Sequence, residues 1–147
     1  MILDATVRIH APLQTVWDVF SDIDNWKEWN PVCRECRFEE GNKLVSGSCI
    51  SFELNVFLLP IRIAPLVEFC DPGRKVVWKG SKMWINAEHT FIFTQSDNAV
   101  FLKSTEMFTG PMLFFAKLIF MPSRLHSLSL RLLNVIKIEA ESRHMKL

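Results

Sequence analysis

The chain has 147 residues, of which 49% are hydrophobic and 22% charged, the balance of an ordinary globular domain. Its 17 basic and 16 acidic residues leave a formal charge of +1, which excludes the basic footprint of a dedicated nucleic-acid binder. The opening Met1-Ile2-Leu3-Asp4 lacks a signal-peptide pattern, and no apolar run reaches the roughly 18 residues of a membrane span, so a soluble, cytoplasmic protein is expected.

Residues 2–10 alternate as a strand does, through Ala5, Val7 and Ile9. Pro12 suits the first position of a helix, where its missing N–H is no loss. Leu13, Val16, Trp17 and Phe20 then form one apolar stripe. A second short helix is expected from Ser21 or Asp22, carrying Ile23, Trp26 and Trp29 and ending at Pro31. From 32 to 108 the chain reads as strands separated by turn residues: 50–59, 61–70, 76–80, 87–94 and 99–108. Pro60, Asp71-Pro72-Gly73 and Gln95-Ser96-Asp97-Asn98 are the expected dividers, and such short connections imply antiparallel pairing. After Gly110-Pro111, the residues Leu118, Met121, Leu125, Leu128, Leu132 and Val135 mark one face of a long amphipathic helix, with a kink or restart at Pro122. No linker or repeat divides the chain, so residues 1–147 are expected to form one domain.

Four cysteines are present, and Cys33-Arg34-Glu35-Cys36 matches the C-x-x-C spacing once. Zinc needs four ligands, and the four histidines are scattered, so free thiols are expected and no metal site or cofactor is assigned. On a regular strand the odd spacing would send Cys33 and Cys36 to opposite faces.

The element order is strand, two short helices, about six strands and a long helix: an α+β fold. A sheet of about seven twisted strands curls, and one helix about 10–12 Å wide cannot fill the hollow beneath it. The hollow is either filled by the 12 phenylalanines and five tryptophans or left open as a pocket.

The segments Ala11-Pro12-Leu13-Gln14-Thr15-Val16-Trp17-Asp18-Val19-Phe20 and Trp26-Lys27-Glu28-Trp29-Asn30-Pro31 resemble the opening signature of START-like (SRPBCC) domains. They are most similar to the polyketide cyclase/dehydrase and lipid-transport group. Asp71-Pro72-Gly73-Arg74, Val76-Val77-Trp78-Lys79-Gly80, Glu88-His89-Thr90-Phe91-Ile92-Phe93 and Ser104-Thr105-Glu106-Met107-Phe108-Thr109-Gly110 extend the likeness along nearly the whole chain. The resemblance implies the helix-grip fold of the birch-pollen-allergen superfamily, with the long C-terminal helix over the concave face of the sheet.

Strand periodicity groups His89, Phe91 and Phe93 on one face, Glu106 and Phe108 with Val100, Leu102 and Ser104 on another, and Val76 with Trp78. If these are the concave faces, as the family pattern implies, the lining is aromatic with two titratable groups, His89 and Glu106. Burial disfavours a charged carboxylate, and a histidine beside it is expected to hold its charge and help anchor a ligand. A single bulge would turn both outward. Trp29, near one mouth of such a cavity, and Leu125 and Leu128 on the long helix complete the expected ligand-binding set. The apolar run Met112–Met121 is expected to be buried, with a cavity gate or a transient membrane or protein contact as alternatives.

The chain has no tyrosine, no nucleophile elbow and no phosphate-binding glycine loop, so an enzyme is the less favoured reading. The expected function is binding of a lipid-like or aromatic small molecule, stabilised by about 25 cal/mol per Å² of apolar surface buried. An aromatase/cyclase-like enzyme acting on a polyketide-type substrate is the second reading. A protein-interaction module with a vestigial cavity is the third.

Overall fold

The computed structural model describes residues 1–55, 60–118 and 121–147. The chain runs β1 (Ile2–Ile9), α1 (Leu13–Ser21), a single 3-10 turn (Ile23–Asn25) and α2 (Trp26–Trp29). The strands β2 (Cys33–Phe38), β3 (Ile50–Asn55), β4 (Pro60–Ile63), β5 (Leu66–Asp71), β6 (Lys75–Lys82), β7 (Ile85–Ser96) and β8 (Ala99–Thr109) follow. Helices α3 (Leu113–Leu118) and α4 (Met121–Met145) close the fold.

Among the described residues the strands form two antiparallel sheets, in the orders β1-β8-β7-β6-β5 and β2-β3-β4. Ile50 N–H donates to Pro65 O at 3.0 Å and Val67 N–H to Ser48 O at 2.8 Å, so the edge strand β5 of one sheet is stitched to the beginning of β3, the middle strand of the other. The result is a helix-grip fold whose curved sheet surface is closed by α4.

The expected strand 61–70 is two strands in different sheets. Pro65, which has no N–H to donate to a ladder, is buried at the break and turns the chain from β4 to β5. Pro60, expected as a divider, is instead the first residue of β4, where proline is tolerated, and it pairs with Asn55. Of the expected strand 50–59, residues 56–59 lie outside the described part of the chain. The β6–β7 turn has no glycine or asparagine to announce it: Met83 and Trp84 take it in the left-handed region, at φ 51° and 60°.

The C-x-x-C expectation also changes. A register shift between Arg34 and Arg37 and a left-handed Glu35 (φ 51°) form a bulge, and Cys33 and Cys36 are both buried rather than on opposite faces. The described cysteines are free thiols.

Of the expected stripe on α1, Val16 and Phe20 are fully buried and Leu13 and Trp17 pack half-buried against the core, while Val19, outside the stripe, is fully buried as well. Helix α4 is described from Met121 and has Pro122 in its first described turn; residues 119 and 120, where the expected kink or restart would show, lie outside the described part of the chain. Its buried face is Leu125, Ser129, Leu132, Leu133, Ile136 and Ala140, with Leu128 and Val135 beside it. This face drifts from the expected seam because the helix turns every 3.6 residues rather than every 3.5. Along the edge strand β1, α4 takes up unpaired backbone groups: Lys137 Nζ donates to Arg8 O at 2.7 Å, and Glu141 Oε1 accepts from His10 N–H at 2.9 Å. Burial opposes the charge on Glu141, but hydrogen bonds from Lys137 and His10 outweigh it and hold the carboxyl below its ordinary value.

Of the run Met112–Met121, expected to be buried, residues 119 and 120 lie outside the described part of the chain, and residues 112–118 are not buried as expected. Phe114, Phe115 and Leu118 are 65%, 57% and 61% exposed, because the six residues of α3 turn only Ala116 fully inward.

Candidate functional site

The hollow between sheet and helix is filled at one end and open at the other. At the filled end Phe20, with no exposure, is ringed by Trp17, Trp26, Trp78, Phe91 and Phe93, at centroid distances of 4.8 to 6.0 Å. Edge-on and offset contacts of this kind satisfy the aromatic quadrupoles and leave no room for a guest.

Beyond Trp78 lies a cavity of about 180 Å³. Its walls come from β3 (Phe52, Leu54), β4 (Ile61, Ile63) and α4 (Leu125, Leu128, Leu132). Of its lining residues Ser81, Lys82 and Met83 are exposed, so its open end lies beside the β6–β7 turn. Leu113, at the start of α3, also lines it.

Three polar side chains of the lining, His89, Glu106 and Ser129, converge on one spot. In the β7–β8 register His89 faces Glu106 and Phe91 faces Ser104, and the pairing runs unbroken from Asn86↔Thr109 to Ser96↔Ala99. Period-2 alternation therefore holds, and both titratable groups point inward. His89 Nε2 and Ser104 Oγ share a hydrogen bond of 2.6 Å. The same nitrogen stands 3.8 Å from Glu106 Oε1, which accepts a hydrogen bond from Ser129 Oγ on α4. His89 stacks on Phe91 at 3.9 Å and meets Trp78 edge-on.

The histidine does not hold its charge as the sequence suggested. Burial pushes its pKa below the ordinary value, and the neighbouring Glu106 opposes this without reversing it. The imidazole is neutral at pH 7. Cys33, also in the lining, is pushed well up by its hydrogen bond with Cys36 and by burial, with Cys36 and Glu106 adding to the effect. It is an inert thiol rather than a nucleophile.

Six residues of the expected ligand-binding set line the cavity together: Trp78, His89, Glu106, Phe108, Leu125 and Leu128. Phe91 and Phe93 share the concave face but lie under Phe20, and Trp29 packs on Trp26 at 6.1 Å; none of the three is in the lining. Ser129 was not anticipated. Its position between Leu125 and Leu132 (i, i+4, i+7) was the available signal, a hydroxyl on an otherwise apolar helix face.

The neutral histidine gives a pH dependence with a defined sign. Above about pH 6.5, the ordinary histidine value, neither state is protonated at His89 and its contribution to stability is fully present. As the pH falls through 6.5 toward the lowered folded value, the unfolded chain takes up a proton that the folded one refuses, so stability is lost. Glu141 acts in the same direction only below its ordinary 4.5. Thermal melts from pH 7.5 down to 5 should therefore show a falling Tm, and His89→Gln should flatten that segment. An unchanged slope in the variant would contradict the buried, neutral assignment.

The geometry of sheet, helix and cavity meets an independent match: residues 2–117 fit the model of a family described as polyketide cyclase / dehydrase and lipid transport. The chain belongs to this family. No curated protein matches it in sequence. TTHA0849 from Thermus thermophilus is similar in structure, with a TM-score of 0.82 at 12% identity over 97% of this chain and 99% of that one. The Zhui aromatase/cyclase from Streptomyces sp. R1128 has a TM-score of 0.75 at 16% identity over 97% and 94%. A START superfamily protein from Mycobacterium smegmatis has a TM-score of 0.66 at 14% identity over 99% and 97%. At these identities the likeness establishes the fold that the family shares and leaves function to the cavity. No helix among the described residues is long and apolar enough to cross a membrane.

Proposed function

We propose that this family member binds a hydrophobic small molecule, lipid-like or aromatic, in the cavity between its sheet and α4. The observation that carries the reading is the composition of the space: an apolar cavity of about 180 Å³ with His89, Glu106 and Ser129 together in its wall and Ser104 bonded to His89 behind it. Ligand sites combine apolar walls that give affinity with a few placed polar groups that give orientation. A cavity of about 150 Å³ lined by apolar side chains holds benzene, so this one, open at the Ser81–Met83 end, suits a ring system or short chain. The exposed Phe114, Phe115 and Leu118 on α3 stand beside Leu113 in the wall, and contact of that face with a membrane or protein surface during loading belongs to the same proposal.

An aromatase/cyclase-like activity is the second reading, and the proximity of a neutral imidazole to a carboxylate in the cavity favours it. The cavity volume counts against it for large substrates, since drug-sized ligands occupy roughly 300–1,000 Å³.

Native mass spectrometry of the purified protein, with organic extraction of what co-purifies, tests the proposal. A bound apolar species of defined mass is the expected result. A clean apo mass together with no fluorescence gain from a hydrophobic dye would contradict it.

A further inference from the structure

Resting on the ligand-binding reading, we infer that the cavity selects apolar molecules bearing a hydroxyl donor, a phenol or alcohol set against Glu106, and rejects their carboxylate counterparts.

The inference follows from the charges that line the space. Among the described lining residues the acid is Glu106, in the second half of β8 and facing the cavity. The cations are Lys82, exposed beside the open end, and the Met1 ammonium, which donates to Phe108 O at 3.1 Å. His89, the group nearest the carboxyl, is engaged with Ser104 at 2.6 Å. A guest whose ring is seated between Trp78 and Leu128 therefore meets an acceptor rather than a counter-ion.

A ligand carboxylate placed there would be desolvated beside a second carboxylate, an arrangement that low-dielectric surroundings penalise strongly. A phenol or alcohol there would donate to Glu106, whose Oε1 already accepts from Ser129, and hydrogen bonds to charged groups are the stronger kind. The fatty-acid class is thus disfavoured by charge even though the apolar walls suit its chain. Ser129 is the positioning residue: from α4 it holds the carboxyl that β8 supplies, so sheet and helix together fix the acceptor.

The test is a titration with three bicyclic probes of one shape, naphthalene, 2-naphthol and 2-naphthoic acid, at pH 7.5. 2-Naphthol should bind roughly tenfold or more tighter than 2-naphthoate. Glu106→Gln should narrow that ratio by raising naphthoate affinity, because glutamine keeps the shape and the acceptor but removes the charge. Naphthalene reports on the cavity alone. If all three bind equally, or naphthoate binds best, the selectivity inference is overturned while the cavity reading stands. If none binds, both fall. Should Glu106→Gln fail to fold, the wild-type protein decides through naphthalene: 2-naphthol binding tighter than naphthalene supports a hydroxyl donor set against the acceptor, and naphthalene binding as tightly or tighter overturns it.

Discussion

Replacing Phe20 with alanine is expected to lower stability by about 4 kcal/mol, a drop in Tm of roughly 10 °C for a chain of this size. Phe20 has no exposure and is in ring contact with five aromatic residues, so its removal leaves a void that none of them fills without leaving its own partners. The void would also join the cavity across Trp78, which stacks on Phe20 and lines the open space. The variant should therefore accept larger guests than the wild type while melting earlier. Denaturant titration checks the first effect. A loss under about 1 kcal/mol would show that the aromatic cluster is not close-packed.

Gly110→Ala is the second large effect, and it acts through the backbone. Gly110 sits at φ +120°, and a Cβ there would run into Trp84 O and stand 3.2 Å from Trp84 C. Backbone, unlike the end of a side chain, cannot swing aside, so the β6–β7 turn beside the cavity mouth must shift. Strain of this kind costs about 3 kcal/mol. Gly41→Ala is the internal control: its φ is +71°, with nothing within 4 Å of the added Cβ, so it carries conformational strain without a clash. Thermal melts should place the Gly110 variant well below the Gly41 variant. Equal Tm values would show that the Gly110–Trp84 approach is not fixed.

The parts of the fold legible in the sequence are those where one periodicity runs uninterrupted. The inward direction of His89 and Glu106 could be read because β7 and β8 pair without a bulge over their whole length. The direction of Cys33 and Cys36 could not, because a bulge at Glu35 leaves no trace in residue type when the left-handed position is not glycine. The expected strands 76–80 and 87–94 left a break between them, but that it narrows to a turn at Met83 and Trp84 could not be read, for the same reason. Packing that depends on neighbours was equally hidden: the sequence places Phe91, Phe93, Trp78 and His89 on concave faces, but only the position of Phe20 decides which of them face the cavity. The polar partner that α4 supplies, Ser129, had a signal in its i, i+4, i+7 place between Leu125 and Leu132, but the exposure of Phe114, Phe115 and Leu118 does not follow from helical periodicity, since it depends on which side of α3 meets the rest of the fold.

The central claim, that guests bind in this cavity and not on the surface, is tested most directly by filling it. Leu128 lines the cavity from α4 and is half-buried, so Leu128→Trp would place an indole in a space of about 180 Å³ without displacing the residues fully buried behind it. Binding of 2-naphthol by the folded variant, followed by calorimetry with Tm measured in parallel, is the decisive measurement. The account predicts a Tm near that of the wild type and affinity reduced at least roughly tenfold. Wild-type affinity in a folded Leu128→Trp protein would place the guest elsewhere and contradict the account.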